Sequence, residues 1–200
     1  MKYFLKILFM FFLISSYANA DELSQWLNKE INNIINIYKN ESIDDEEKFK
    51  SIEETINKNF AGSGIARFVV GKAWASANKE TKKEYISIFK RHLALNIATM
   101  MQNYSNQKYS LSDSRFDEQN DVSLVDMEIK NNSSNIVVTW RVKKSKDRFF
   151  IIDLMVADIS LVVTKRSEFN SMLKKVDYNL DSFNEILRNQ NQQSYQMIIN

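Results

Sequence analysis

Apolar residues recur along this chain with two different periods. Up to about residue 104 they fall three and four positions apart, the spacing of one helix face. Leu23, Trp26, Leu27, Ile31, Ile34, Ile35 and Tyr38 mark a first helix. Phe49, Ile52, Ile56 and Phe60 mark a second, with Ser42 as its expected cap and Asp45 and Glu46 opposing the dipole in its first turn. Ala61-Gly62-Ser63-Gly64 breaks the pattern. A short apolar helix with Ile65, Phe68, Val69 and Val70 follows and ends at Gly71. Lys79 to Tyr104 reads as the longest helix. Tyr85, Phe89, Leu93, Ile97, Met100 and Tyr104 share one of its faces, and Lys82, Lys83, Lys90 and Arg91 fall mostly off it.

From Lys108 the period becomes two. Val125, Met127 and Ile129 alternate with acidic residues, and Ile136, Val138, Trp140 and Val142 alternate with Val137, Thr139, Arg141 and Lys143. Phe150, Ile152, Leu154 and Val156 form a third alternating run. Polar clusters at Asn131–Asn135 and Ser145–Asp147 separate the runs, which predicts an antiparallel meander with one apolar face. A weaker first strand is expected from Tyr109 to Phe116. Helical spacing returns after Val163 with Phe169, Met172, Leu173 and Val176, then with Leu180, Phe183, Ile186 and Leu187. The Asn/Gln-rich end from Asn189 is expected to fray, with 191–200 a flexible tail. Helices, sheet and helices again give an α+β domain over 21–190. Helices packed across the mouth of a concave sheet leave room for a small or elongated apolar molecule.

Composition narrows the chemistry. The chain is 44% apolar and 26% charged, an ordinary globular mixture. It has no cysteine, one histidine and three glycines, which excludes thiolate catalysis, multi-His or Cys metal sites and a glycine-rich phosphate loop. Residues 1–20 read as an export signal: Lys2 and Lys6, an apolar centre from Leu8 to Ile14, and Ala18-Asn19-Ala20 as the cleavage site. The apolar run is shorter than the roughly 20 residues a membrane span needs. Taking Lys2 and Lys6 from the 27 basic residues leaves 25, equal to the 25 acidic ones. A balanced mature chain argues against nucleic acid as partner.

Few residues look reactive. His92 lacks a nucleophile elbow and reads as a structural histidine. Asp44-Asp45-Glu46-Glu47 lacks the spacing of a calcium loop and reads as a solvated helix start. Asp153 is a charge inside an apolar strand. It reads as one half of an ion pair, with Arg166 a candidate partner, and general-base work is the sharper alternative. Arg141, Lys143, Lys144, Lys146 and Arg148 make a basic hairpin tip, either edge protection or a docking patch for an acidic partner or lipid headgroups. The apolar inventory is large: Val69, Trp74, Phe89, Leu93, Ile97 and Met100 in the helices, then Val125, Met127, Val138, Trp140, Phe150, Ile152, Leu154 and Val156 in the strands. Pattern alone assigns these to a core, and periodicity does not separate a filled core from a lined cavity.

Two blocks then resemble a known family. Phe60-x7-Phe68-x2-Gly71-Lys72-x-Trp74 with Thr81-x7-Phe89-x3-Leu93 resembles the front half of the MlaC/toluene-tolerance family. Ile152-Asp153-Leu154-x-Val156-x2-Ile159-Ser160-Leu161-Val162, then Arg166-Ser167-x-Phe169, resembles its back half. Asp158 stands where that family has glycine, Lys165 where it has an aromatic, and Arg148-Phe149 or Phe149-Phe150 where Trp-Lys is usual.

The resemblance implies an NTF2-like α+β fold with a deep cavity that takes acyl chains and leaves the headgroup outside. It turns part of the apolar inventory into cavity lining, adding Phe68, Leu161, Phe169 and Leu173, with Arg141, Lys143 and Arg148 as partner-docking residues. It also implies a periplasmic phospholipid carrier with no cofactor, no metal and no catalysis. Such a carrier works between an outer-membrane lipoprotein complex and an inner-membrane ABC transporter with its lipid-binding ring subunit. Gly62, Gly64 and Gly71 are candidate hinges for widening the mouth. Three readings stand: a lipid shuttle, with a hopanoid as alternative cargo; an exported enzyme using Asp153 or His92; and a protein-binding adaptor with a filled core.

Overall fold

The computed structural model describes residues 22–102, 107–130 and 135–200. The expected export signal, Tyr104 and most of the first polar cluster lie outside the described residues. Residues 22–39 form helix α1, which buries Leu23, Leu27 and Ile35. Helix α2, Asp45–Asn59, is capped by Asp44 rather than Ser42: Asp44 Oδ1 accepts from the Glu47 amide at 2.8 Å. Ser42 belongs to the preceding turn, where its amide donates to Asn40 Oδ1 at 3.0 Å. Helix α3, Gly62–Val70, stops at Gly71, whose φ of 53° suits glycine and would strain any residue with a Cβ. After the short α4, Ala73–Ser76, comes α5, Lys79–Gln102, with Asn78 Oδ1 accepting from the Thr81 amide at 2.8 Å.

The expected first strand is two strands. β1, Lys108–Leu111, and β2, Arg115–Asp117, both pair with one edge of β3, Val122–Lys130. β4, Asn135–Ser145, and β5, Arg148–Val156, continue the antiparallel sheet, and β6, Ile159–Ser160, closes it in the order β1-β3-β4-β5-β6. The turn from β5 to β6 holds Ala157 and Asp158 both at positive φ, 47° and 63°.

The β4–β5 register shifts between Arg141 and Val142. Arg141 faces Asp153 but Val142 faces Ile151, which leaves Ile152 as an extra residue. Such a bulge reverses inward and outward along half a strand.

Helix α6, Leu161–Lys174, starts two residues before the apolar spacing suggests, because Ser160 Oγ caps it by accepting from the Val163 amide. Helix α7, Leu180–Ile199, corrects the expectation of a frayed end. Its last turns bury Asn191 and Ile198, and Tyr195 packs edge-on against Phe49 at 5.2 Å. Ile198 supplies the apolar contact that holds a polar-rich segment helical.

A filled core lies among α3, α5, α6 and α7. Tyr85, Phe89, Phe169 and Phe183 are fully buried there, with ring centroids 4.9 to 6.2 Å apart. A second core joins α2 to the ends of α5 and α7 through Phe49, Ile52, Leu95 and Ile198. A third ties α1 to the sheet through Leu23, Leu27, Val125, Val142 and Ile151.

Candidate functional site

Between α1, α2 and the last turns of α5 on one side and the sheet on the other lies a cavity of about 330 Å³. Its walls follow from the two periods. Helices α1 and α2 present Leu27, Ile31, Ile34 and Ile35, then Ile52 and Ile56, at helical steps. The strands present every second residue: Met127 and Ile129 from β3, then Ile136, Val138 and Trp140 from β4. β5 contributes Ile151 from one side of the bulge and Leu154 and Val156 from the other. Leu27, Ile52, Ile56 and Ile151 are buried and form the closed end. Three other lining residues, Met100, Ile136 and Leu161, are 60%, 41% and 37% exposed, so the cavity opens between the end of α5, the start of β4 and the start of α6.

The few polar groups in the wall are mostly occupied. Glu30 is buried, accepting from Asn59 Nδ2 at 2.7 Å and from Lys58 Nζ at 3.3 Å. Tyr109 donates to Asn28 Oδ1 at 2.7 Å. The Trp140 indole N–H is buried without a partner. No cluster of His, Cys, Asp or Glu suited to a metal ion occurs among the described residues.

The structure places eight of the expected lining residues at the cavity: Ile97, Met100, Met127, Val138, Trp140, Leu154, Val156 and Leu161. The other ten lie elsewhere. Val69, Phe89, Phe169 and Leu173 fill the helical core, where rings interlock, and Trp74 and Leu93 pack against it. Val125 belongs to the core between α1 and the sheet. Phe68 is 43% exposed and lies beneath the Arg166 guanidinium, 4.4 Å away. Phe150 and Ile152 are off the wall because the bulge breaks the alternation on which they were placed with Leu154 and Val156. What sequence reasoning missed is the contribution of α1 and α2. Their stripes were visible, but period alone does not say which stripe faces a partner and which faces space. The hinge glycines Gly62 and Gly64 sit in α3, which contributes nothing to the cavity wall.

The expected docking residues all have partners within the chain. Arg141 pairs with Asp153 at 3.3 Å, Lys143 with Asp121 at 3.2 Å, and Arg148 donates to the Lys58 carbonyl at 2.9 Å. Asp153 pairs with Arg141, not with Arg166, which donates to the Phe68 carbonyl. The buried Asp153 carboxylate also accepts from Ser160 Oγ at 2.6 Å and from the amides of Leu154 and Val162 at 2.8 and 3.1 Å. It therefore fastens the start of α6, and with it Leu161 at the opening, to β5.

His92 Nδ1 meets Asn191 Oδ1 at 2.9 Å, its Nε2 is buried without a partner, and its ring lies 5.5 Å from that of Phe169. Burial, then the nearby Lys165 charge, hold its pKa below the ordinary 6.5. His92 sits in the helical layer and is no part of the cavity wall.

The sequence profile described as MlaC protein matches residues 28–189. No curated protein matches the chain. Among solved structures, a phospholipid-binding protein from Ralstonia solanacearum, determined in complex with a phospholipid, superposes with a TM-score of 0.72 at 16% identity. The match covers 86% of this chain and 98% of that one, so the two share a fold.

Proposed function

The chain belongs to the MlaC family, and from that premise we propose that it is a periplasmic carrier that holds the acyl part of a phospholipid in its cavity and conveys it between outer- and inner-membrane complexes. The observation that carries the reading is the apolar cavity opening between Met100, Ile136 and Leu161. About 330 Å³ lies at the lower end of the range for ligand sites, which suits a single acyl chain inside and a headgroup left in water. The fold shared with a structure that contains phospholipid supports the same ligand class.

The energetics fit a carrier. Burying a methylene is worth about 0.8 kcal/mol, so exposing a lipid with roughly 30 of them would cost on the order of 20 kcal/mol. A soluble carrier has to replace most of that environment without exceeding the membrane's own hold. A preformed apolar wall replaces the part of it that the cavity encloses, by shape alone, and needs no reactive group. Asp153 is fully engaged by its four donors and His92 stands outside the wall, so neither supports an enzyme reading. Among the described residues no helix is long and apolar enough to cross a membrane.

Native mass spectrometry of protein purified without added lipid tests the proposal. A co-purified phospholipid mass is expected, and Val138→Trp, which fills the hollow from β4, should remove it while leaving the circular dichroism spectrum intact. A hopanoid mass would keep the carrier role and change the cargo. Protein that is always empty, and that takes up no labelled phospholipid from vesicles, would overturn the reading.

A further inference from the structure

A second hollow of about 580 Å³ lies over α5, between α2 and α7, and its chemistry is the opposite of the first. Lys83, Lys90 and Arg91 reach it from α5 and Arg188 from α7, against a single lining carboxylate, Glu53. Positions 83, 87, 90 and 91 share one face of α5 at helical spacing, so the cluster is built by the helix itself.

The four cations are not equally engaged. Arg91 pairs with Glu53 at 2.7 Å and lies over the rings of Phe49 and Tyr195 at 5.0 and 4.8 Å, which fixes its fork. Arg188 is held by Glu84. Lys83 and Lys90 have no ion-pair partner among the described residues. Lys90 is nevertheless placed: its stem crosses Gly62 so closely that a Cβ there would lie 2.7 Å from Lys90 Cε. The concentration is local, since basic and acidic residues are equal over 21–200.

We propose that this cleft is a second binding site, for a phosphate-bearing anion. Two anchored guanidinium groups offer planar N–H pairs to oxygen, and two uncommitted ammonium groups supply the charge that phosphate neutralises. The Ser87 hydroxyl and the Asn57 and Gln192 amides line the same space and add neutral hydrogen-bonding groups. The site is separate from the apolar cavity, with which it shares no lining residue.

The test is calorimetric titration of the full folded chain with inorganic phosphate, with glycerol 3-phosphate and with dihexanoyl phosphatidic acid, against sodium chloride at matched ionic strength. Phosphate binding beyond the chloride control is expected. Lys83→Gln with Lys90→Gln should raise the Kd at least tenfold without changing the phospholipid mass that co-purifies. Gly62→Ala, which pushes Lys90 aside, should weaken binding in the same direction. Tighter binding of the short phosphatidic acid than of inorganic phosphate, lost in the lysine double variant, would identify a lipid headgroup as the source. Equal binding would identify a free phosphate. Heat that matches the chloride control, or phosphate binding undiminished in the double variant, would overturn the proposal.

Discussion

Two regions of this molecule are built from similar apolar sequence and end in opposite states. The core among α3, α5, α6 and α7 is solid, whereas the space between α1, α2 and the sheet is hollow. The solid region rests on four aromatic rings from three helices, set edge to face or tilted against one another. The hollow is lined mostly by Ile, Val, Leu and Met, with Trp140, Phe60 and Tyr109 the only lining aromatics among the described residues. Large flat rings close gaps from both sides of a helix pair. Branched aliphatic side chains standing on a bent sheet and on a helical hairpin are too short to meet across the middle. Solidity here depends on side-chain reach more than on apolar content.

The contrast can be broken at its strongest point first. Phe169→Ala removes a ring touching Phe89, Phe183 and His92, and should cost about 3–5 kcal/mol in denaturant unfolding. The lipid bound per folded molecule should not change. Asp153→Ala strips four donors of their acceptor, and a loss of about 2–3 kcal/mol is expected. That variant should also release lipid to vesicles faster, because the start of α6 flanks the opening. Val138→Ala, on the hollow side, should cost only about 1 kcal/mol, since part of its surface has no neighbours to lose. A larger loss for Val138 than for Phe169 would reverse the comparison.

The smallest effect concerns His92. Its folded pKa is held below 6.5, so in mild acid the unfolded chain takes up a proton more readily than the folded one. The contribution is stable above pH 6.5 and becomes unfavourable as pH falls from 6.5 towards the lower folded value. His92→Gln should therefore lose less stability than the parent between pH 7 and 5.5, measured by thermal melting.

The helices and strands were legible because each has a sustained period over a long run. Caps were less so. Asp44 and Ser42 are both good cap residues, and only the position of the first helical turn chooses between them. The faces of half of β5 are not legible, because one extra residue, Ile152, leaves the hydrophobic pattern looking continuous while reversing its faces. The end of α7 reads as polar, yet Ile198 finds a core made by residues about a hundred and more positions earlier. The eight expected residues that line the cavity lie mostly on strands, where alternation separates two faces. The helical residues assigned to lipid mostly filled the solid core instead, since a helix stripe looks the same whether it meets a ring or a void.

The extra residue in β5 gives this strand one position that it can spare. Swapping one aliphatic for another at Leu154 or Val156 would alter only the contour of the wall. Deleting Ile152 would make Arg141–Asp153 and Val142–Ile151 consecutive pairs of a regular ladder, with Ile151, Leu154 and Val156 still turned inward and Asp153 outward. What would go is the bend and added twist that an unpaired residue puts into a strand. The deletion would therefore change the curvature of the container's wall while leaving its inside and outside where they are.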